Sequence, residues 1–397
     1  MSGAKPGHVP EALFRPFDFF AFPGSERDVH GAWKKLHEGP EMFWTPLNGG
    51  HWVCTRADDI ETVYGDYTRF SSATESLPRG ATPLPQPLVE IDPPAHDAYR
   101  RIIMPEFSPR AMQGLERRAR ELTVSLIEGF RAAGHCEFVR EFAKHMPIGI
   151  FLSIMQLPRE DAARLVPLAE AKTRNSDVAT SLNVHMQILD YIREKIEERR
   201  RRPGDDLISR VIRAEVNGRP LSHDEAVAMC GVVTFAGLDT VVSSLGFVMR
   251  FLAENPGHRQ QLRENKALIP NAVNEFLRRF SPTNLAREVR HDMRYNGLDL
   301  RAGDAILLPT CLHGLDERRW NAPMQVDFDR PRVFHLAFGI GAHRCVGANL
   351  ARTELRVMLE EWLPRIADFE ITPGETPVTA SGQVNAVTHL PISWRVH

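Results

Sequence analysis

Apolar residues recur at helical spacing along most of the chain. In one segment they are separated by steps of three and four residues, at Leu115, Ala119, Leu122, Leu126 and Phe130. This spacing predicts an amphipathic helix, and Gly134 follows it as a stop signal. A second helix is predicted over residues 186–202, where a charged run ends before Pro203 and Gly204. The pattern is typical of a mainly helical protein.

A long apolar segment between Ser222 and Pro256 predicts a buried central helix. Ser222 and Glu225 have the spacing of a capping box, which marks a helix start, and Pro256 ends the segment. The segment covers about thirty residues, or roughly 45 Å at the helical rise per residue. Because it is apolar on all sides, we expect it to run through the middle of the molecule. Asp239 lies within it, and a carboxylate in lipid costs about 2.5–3.5 kcal/mol, which argues against a membrane span.

Strand signals are few and short. They lie at residues 52–55, around the Asn296-Gly297 turn signal, at residues 305–308 and in the C-terminal stretch 373–394. A proline-rich segment, residues 78–94, predicts a long loop, and loops of this length usually have a function. No repeat is found, and no linker separates two apolar cores. We therefore predict a single domain over residues 1–397, mainly α with a small β portion.

Composition and charge exclude several classes of protein. The chain has 397 residues, 43% of them hydrophobic and 25% charged, which is ordinary for a soluble globular protein. Its formal net charge of −2 provides no global basic field for nucleic acid. The five cysteines lack the spacing of a disulfide framework or zinc knuckle, and residues 1–23 lack the pattern of a signal peptide. These features predict a reduced, cytoplasmic protein that binds neither membrane nor nucleic acid.

Cys345 lies in a segment with its own chemistry. Gly339 and Gly341 precede it and Gly347 follows it, so the backbone can approach closely and adopt positive φ around the sulfur. A predicted helix over residues 350–363 comes next, and its N-terminal amides and positive dipole end favour a thiolate. Such a thiolate is a metal ligand or a nucleophile, whereas a free cysteine elsewhere is usually a small buried hydrophobe.

The spacing F-x-x-G-x-x-x-C-x-G, from Phe338 to Gly347, resembles the proximal-ligand loop of the haem-thiolate monooxygenases, the cytochrome P-450 superfamily. The chain resembles most the soluble bacterial camphor 5-monooxygenase family, through Asp92-Pro93-Pro94 and residues 236–242, 277–281 and 314–318. The resemblance covers nearly the whole chain and implies the cytochrome P-450 fold, haem b as cofactor and O2 as co-substrate. It makes Cys345 the axial thiolate ligand of the iron, with Phe338 beside the sulfur side of the ring.

Glu275 and Arg278 match the family's E-x-x-R helix motif. Alone the pair is a weak signal, because an i, i+3 ion pair supports a helix by only about 0.2–0.5 kcal/mol. The same spacing also occurs at Glu137/Arg140 and Glu197/Arg200. Its position between the central helix and the cysteine loop follows the family order, which implies a buried pair that supports the haem loop. Either Arg330 or His335 completes the pair, and the sequence does not choose between them.

The middle of the central helix carries an unusual polar group. Gly237 costs about 1 kcal/mol in a helix interior, and Thr240 can bond back to the carbonyl four residues earlier and bend the helix. On the residues alone, this is a core helix with a polar kink. The resemblance implies an oxygen-binding groove, with Gly237 at the cofactor and two catalytic residues, Thr240 bonding to oxygen at the haem and Asp239 feeding protons inward. Arg174 matches the family position that pairs with this acid and gates proton entry.

A haem needs buried cations near its two propionates, because their charge is costly to bury. His96 and Arg100 are four residues apart on one helical face, Arg287 follows the E-x-x-R helix, and His343 lies two residues before the cysteine. Each alone is more often a surface or structural residue. All four occupy positions where the family holds propionates, so the resemblance implies that they bind the cofactor.

The substrate pocket is predicted to differ from that of the camphor enzyme. In that family a tyrosine of the long loop donates to the ketone, but residues 71–91 contain no tyrosine, and an ungapped count places Leu84 there. A site built around one hydroxyl loses its discrimination without it. The family's other pocket positions hold Phe235, Thr283, Leu285 and Val384. They imply an apolar pocket for a terpenoid or norisoprenoid other than camphor, unless these residues only fill the core.

The chain has no flavin or iron–sulfur motif, so electrons must come from another protein. The resemblance implies a small acidic [2Fe–2S] ferredoxin, served by an NAD(P)H-dependent reductase. Its docking face would include Arg100, Arg101, Arg332 and Arg344. Asp97 stands where the camphor enzyme has a cation, which predicts a different ferredoxin.

The predicted activity is insertion of one oxygen atom from O2 into a C–H bond, and two alternatives stay open. A haem-thiolate enzyme that uses peroxide or rearranges its substrate often lacks the acid–alcohol pair, whereas Asp239 and Thr240 are both present. A haem-thiolate sensor or carrier would bind a small molecule without turnover.

Overall fold

Helices make up 52% of the protein and strands 13%, which confirms the predicted mainly α fold. The computed structural model describes residues 5–396, so the first four residues of the segment predicted to lack a signal peptide lie outside the described residues. The α-helices are α1 (Val29–Lys34), α2 (Ala57–Gly65), α3 (Ala95–Ile103), α4 (Pro109–Phe130), α5 (His145–Met155), α6 (Ala162–Thr173), α7 (Val178–Arg201), α8 (Leu207–Ile212), α9 (His223–Leu238), α10 (Thr240–Glu254), α11 (Pro256–Glu264), α12 (Ile269–Arg279), α13 (Thr310–Gly314) and α14 (Ala348–Arg365).

The strands are short and lie mostly in the two terminal thirds of the chain. They are β1 (Met42–Thr45), β2 (His51–Cys54), β3 (Phe70–Ser71), β4 (His135–Glu137), β5 (Glu215–Val216), β6 (Arg219–Pro220), β7 (Asn284–Val289), β8 (Met293–Tyr295), β9 (Leu298–Leu300), β10 (Ala305–Pro309), β11 (Phe369–Ile371), β12 (Val378–Ala380), β13 (Ala386–His389) and β14 (Pro391–Trp394). The largest sheet has the order β1-β2-β10-β7-β3, in which β10 pairs parallel with β2 and antiparallel with β7.

The predicted central helix exists, and it is interrupted once. It starts with the predicted capping box, in which Ser222 and Glu225 each bond the other's backbone amide. Asp239, with φ −128° and ψ −31°, separates α9 from α10. By length and composition residues 223–254 could cross a membrane, but 72% of their most apolar window is buried inside the protein. This burial is typical of the core helix of a soluble protein.

The other strong local signals are also confirmed. Helix α4 starts at Ser108, whose side chain accepts from the Ala111 amide, and a short turn after it ends at Gly134, with φ +74°. The turn between β8 and β9 has positive φ at Asn296 (+48°) and Gly297 (+81°), as a tight hairpin requires. Helix α7 begins earlier than predicted, because Asp177 caps it by accepting from the Thr180 amide.

Two apolar clusters make up most of the core, and the cysteine loop lies between them. The first joins the large sheet to α10, α12 and α14, and the second fills the space among α5, α6, α7, α8 and α9. Phe338 and Ile340 pack against the first cluster, whereas Val346 packs against the second. The candidate site is therefore placed where the sheet-side and helix-side halves of the core meet.

Candidate active site

Cys345 lies in a tight loop between a short 3-10 turn and the start of α14. Its amide donates to the Phe338 carbonyl at 2.8 Å, which closes the loop. Gly339 has a φ of +62°, and a β-carbon there would lie 2.8 Å from the Tyr64 ring. Gly341 also has a positive φ, of +69°. This backbone therefore requires the glycines that the sequence places around the cysteine.

The Cys345 side chain is accessible yet deep in the molecule, and burial raises the pKa of its thiol. The Gly347 amide and the guanidinium groups of Arg100, Arg344 and Arg352 lower that pKa, but by less than burial raises it. The Gly347 amide at the helix start thus favours the thiolate, in the predicted direction, but burial outweighs it for the thiol alone. A coordinated metal cation reverses the balance, since a coordinating thiol is deprotonated. The surroundings suit a metal ligand better than a free nucleophile.

Two of the four predicted propionate ligands form a pair of facing imidazoles. The rings of His96 and His343 have centroids 4.2 Å apart. Burial lowers the pKa of both rings, that of His343 to about 4. In the part of the chain that the structure describes, the Nε2 atoms of both rings are buried and have no hydrogen-bond partner. A buried polar atom without a partner is costly. Because an anion beside the rings favours the imidazolium form, in which both ring nitrogens donate, the pair fits a bound group that supplies anionic acceptor oxygens.

The two arginines predicted to bind the propionates are each fixed by contacts with neighbouring residues. Arg287 is buried, donates to the Ala286 carbonyl at 2.8 Å and stacks on the Tyr64 ring at 4.5 Å. Arg100 donates to the Arg344 carbonyl at 2.5 Å, and its charge is close enough to Cys345 to lower the thiol pKa. Buried guanidinium groups need anionic partners. The residues present therefore fit a haem with two propionates.

Phe338 supports the cysteine loop from one side. The guanidinium of Arg352, on α14, lies 4.5 Å from the centre of the Phe338 ring. Phe107, which the sequence did not single out, lies where a β-carbon on Gly347 would contact it at 3.8 Å. The loop is thus enclosed by aromatic rings, and its glycines leave the sulfur uncovered.

The break in the central helix carries the predicted acid–alcohol pair. Thr240 Oγ1 donates to the Ala236 carbonyl at 3.0 Å, as its helical position predicted. Asp239 is buried and accepts from Arg174 at 2.7 Å, the predicted partner, and from Thr173 Oγ1 at 2.9 Å, which was not predicted. Ala236 is exposed although α9 is otherwise largely buried, so this turn of the helix borders open space. The acid lies between that space and the end of α6.

Gly237 has a packing role in the structure. A β-carbon there would lie 2.9 Å from the Phe151 ring of α5, so the glycine permits close approach of α9 and α5. Its predicted contact with the cofactor stays a prediction.

The E-x-x-R pair is completely buried and has a third partner. Arg278 forms two bonds to the Glu275 carboxylate, Nη2 to Oε1 at 2.7 Å and Nε to Oε2 at 2.8 Å. Arg330 Nε donates to the same Oε1 at 3.1 Å, whereas His335 Nε2 has no partner among residues 5–396. Of the two candidates that the sequence left open, Arg330 completes the cluster. The remaining donors of Arg278 bond to the carbonyls of Gly314, Pro323 and Gln325. The pair therefore ties α12 to the chain that leads into the cysteine loop.

The only group with the spacing of a metal site in the described range 5–396 is a structural ion-pair cluster. His37, Asp316 and Glu317 have ligand atoms within 4.8 Å of one another. However, Arg56 donates to Asp316 at 3.1 Å and to Glu317 at 3.0 Å, and Lys34 also bonds Glu317. These cations already neutralise the carboxylates, and Asp316 caps α2. The cluster explains the acidic residues of segment 314–318.

Three predicted pocket residues come together on the sheet side of the site. Thr283 and Val384 form an antiparallel bridge, and Leu285 lies two residues along β7 from Thr283. Thr283 also accepts from the Thr310 amide, so its backbone is fixed. Leu84 packs against the helix-side cluster, and Phe235 meets His185 of α7 edge-on with centroids 4.4 Å apart.

A buried polar group beside Phe235 was missed. It consists of Lys172 and His185, and Glu75 and Glu90 act on the Lys172 charge. The prediction of a pocket with little polarity left these residues out. His185 had a detectable signal, because it shares the inward face of α7 with Ser181 and Leu189, each four residues away. Lys172 had no detectable signal, because its burial depends on the long loop, which lies in another part of the chain.

The chain is similar to known proteins over nearly its whole length. The family model described as cytochrome P450 matches residues 172–392. Probable cytochrome P450 127A1 of Sinorhizobium fredii is 33% identical over 402 residues, covering 98% of this chain and 96% of the relative. Mycinamicin IV hydroxylase/epoxidase of Micromonospora griseorubida is 30% identical, covering 88% of this chain and 91% of that protein. The crystal structures of CYP101J2 and CYP101C1 are 38% and 37% identical, each with a TM-score of 0.89 over 99% of this chain and all of the other.

These matches agree with the geometry of the site. The cysteine loop, the imidazole pair whose Nε2 atoms have no partner among the described residues, the buried Arg287 and the half-buried Arg100 suit haem b. Haem b is the cofactor of this family, with O2 as co-substrate. Relatives are named as a hydroxylase and an N-oxygenase. The chain belongs to the cytochrome P450 family, close to its CYP101 group, and is a monooxygenase.

Proposed function

We propose that this monooxygenase hydroxylates a terpenoid or norisoprenoid other than camphor, with electrons from a [2Fe–2S] ferredoxin. The observation that carries the proposal is the intact acid–alcohol pair, with Asp239 held by Arg174 and Thr173 beside Thr240. This pair favours O2 as the oxygen source over peroxide, because an O2-dependent reaction needs protons delivered to the site. When bound, haem would supply the oxygen chemistry, and the Cys345 thiolate would tune it as the ligand of the iron.

The proposed roles of the chain's own residues follow from their contacts. Cys345 ligates the iron, and Phe338 packs beside it. His96, Arg100, Arg287 and His343 would hold the propionates, because the Nε2 atoms of both histidines lack partners among residues 5–396 and both guanidinium groups donate to carbonyls there. Asp239 passes protons from the Arg174 side toward Thr240, whose hydroxyl is already oriented by its bond to the Ala236 carbonyl. Rotation of Arg174 away from Asp239 would open that route.

The substrate class rests on the pocket residues. Leu84, Phe235, Leu285 and Val384 are apolar, and no tyrosine is present in residues 71–91 to bind a ketone as in the camphor enzyme. Burial of apolar surface supplies most of the affinity, at about 25 cal/mol per Å².

The proposed partner is an acidic ferredoxin with its NAD(P)H-dependent reductase. Arg101, Arg332 and Arg344 are exposed, and Arg100 is half-buried near Cys345. Such a basic face would steer an acidic partner toward the iron ligand. We also propose that residues 1–397 act as one domain in the cytoplasm, which agrees with core clusters that meet at the site.

A binding screen followed by turnover tests the proposal. The purified haem protein is titrated with terpenoids, norisoprenoids and camphor, and the haem spin state is read from its absorption spectrum. We expect a terpenoid or norisoprenoid to give the largest high-spin shift, and its turnover with 18O2 and an acidic [2Fe–2S] ferredoxin to give a labelled alcohol. Tight, fully coupled turnover of camphor would contradict the substrate assignment.

A further inference from the structure

A polar cluster lies beside the pocket candidate Phe235. Lys172, near the end of α6, is only 6% exposed, and its Nζ donates to the Ala81 carbonyl at 3.1 Å. His185 is 3% exposed, and its ring packs edge-on against Phe235. The Ala81 carbonyl also acts on the His185 ring, so both side chains converge on one point of the long loop.

Both side chains have unused hydrogen-bonding capacity. Nδ1 of His185 is buried without a partner in the described chain. A lysine ammonium has three N–H donors, and the hydrogen bond to Ala81 is the one that the described residues provide for Lys172. Buried donors and acceptors that lack partners destabilise a protein unless something else bonds to them. A ligand group at this place would gain that stabilisation.

The charges around the cluster favour an uncharged ligand group. Burial lowers the pKa of Lys172 to about 8, although the charges of Glu75 and Glu90 act to raise it. Glu90 is bonded within the loop, to the Gln86 amide at 2.8 Å. Two carboxylates therefore already balance the ammonium, and a third, from a substrate, would be repelled. A carbonyl or hydroxyl oxygen can accept from Lys172 without adding charge.

We propose that Lys172 and His185 bind a carbonyl or hydroxyl oxygen of the substrate, so that the pocket selects an oxygenated terpenoid over the hydrocarbon of the same skeleton. Lys172 donates to this oxygen, and the neutral His185 ring is the second partner, donating its one N–H to a carbonyl oxygen or accepting the proton of a hydroxyl. In this chain two side chains, from α6 and α7, thus bind the substrate oxygen, which a loop tyrosine does in the camphor enzyme. The inference rests on the proposed function, which supplies the substrate class.

A purely structural role for Lys172 makes a different prediction. If Lys172 only anchors the loop through Ala81, its loss should weaken all ligands alike, because the loop would be displaced for each of them. If Lys172 binds the substrate oxygen, only the oxygenated ligands should weaken. The ratio of affinities within one skeleton therefore separates the two roles.

The test uses three probes of one skeleton: β-ionone, β-ionol and the hydrocarbon that lacks their oxygen. Dissociation constants are measured from the spin-state shift of the haem protein for wild type, Lys172→Met and His185→Phe. His185→Phe keeps the edge-on ring contact with Phe235, so it gives a second result should Lys172→Met fail to fold. Lys144→Met is the matched control, because Lys144 bonds Glu170 of α6 at 2.7 Å, outside the cluster.

We expect wild type to bind the ketone or the alcohol about tenfold to a hundredfold more tightly than the hydrocarbon, as for a hydrogen bond to a charged group. Lys172→Met should remove most of this ratio and leave the hydrocarbon unchanged, whereas Lys144→Met should keep the ratio. Equal weakening of all three probes, or a wild-type ratio near one, would overturn the inference and leave the proposed function standing. Absence of any spin-state shift with all terpenoid probes would contradict the proposed substrate class itself.

Discussion

The buried pair of Glu275 and Arg278 should contribute far more to stability than an identical pair on the surface. Both side chains are 0% exposed, and the shortest N–O distance between them is 2.7 Å. Replacing Glu275 by Gln leaves the Arg278 charge buried without its counter-charge, and it places a donor NH2 group where one of the two acceptor oxygens was. Loss of one partner of a buried pair costs about 3–5 kcal/mol. We therefore expect Glu275→Gln to lower the free energy of unfolding by that amount and to weaken haem retention.

The chain offers a matched control for this variant. Glu197 and Arg200 have the same residue types, the same i, i+3 spacing and the same 2.7 Å distance, but their side chains are 51% and 42% exposed. Exposed helical pairs contribute only about 0.2–0.5 kcal/mol. Glu197→Gln should therefore leave stability within about 0.5 kcal/mol of wild type.

The assay is urea unfolding of the haem protein, followed in parallel by circular dichroism and haem absorbance. Adding Arg278→Met to Glu275→Gln should recover part of the loss, because the uncompensated charge is then gone. If Glu275→Gln and Glu197→Gln changed the unfolding free energy equally, burial of the pair would not be the source of its stability, and the reasoning would be refuted.

Three further predictions concern protons, partners and pH. Arg174→Ala should lower the rate of turnover about tenfold or more, because positioned proton transfer contributes about 10²–10⁴-fold, and should change the solvent isotope effect; an unchanged rate and isotope effect would remove Arg174 from the proton route. The rate of reduction by an acidic ferredoxin should fall as ionic strength rises, and stopped-flow rates indifferent to salt would contradict electrostatic docking. Burial raises the pKa of Glu354 from 4.5 to about 8, so the folded state keeps a proton that the unfolded state releases. The free energy of unfolding should therefore fall by up to a few kcal/mol as pH rises across that range, and Glu354→Gln should remove the fall.

Local signals in the sequence predicted the elements that depend on neighbouring residues. The capping box at Ser222, the stop at Gly134 and the Asn296-Gly297 turn all have contacts within a few positions along the chain. Strands such as β7 were missed, because their pairing depends on β10 and β3, which are distant in sequence. A second Asn-Gly turn, at residues 217–218 between β5 and β6, has the same positive φ values and could have been found.

The site shows the same division between local and distant contacts. The tight loop around Cys345 could be predicted from its glycines, because its positive φ angles limit the residue type there. The choice of Arg330 over His335 was not, since it depends on a contact across 55 positions. Thr173 and Lys172 were missed for the same reason. Burial of Cys345, which raises the pKa of its thiol, could not be predicted from the local sequence either, because it depends on residues packed around the loop.

The central claim, that Cys345 is the axial ligand of the haem iron, is tested most directly by resonance Raman spectroscopy of the iron–sulfur stretch. Cys311, which is buried and free, provides the control. We expect the iron–sulfur band in wild type and in Cys311→Ala, and its loss in Cys345→His. Persistence of the band in Cys345→His, or its absence from the wild-type haem protein, would contradict the assignment of Cys345 as the ligand.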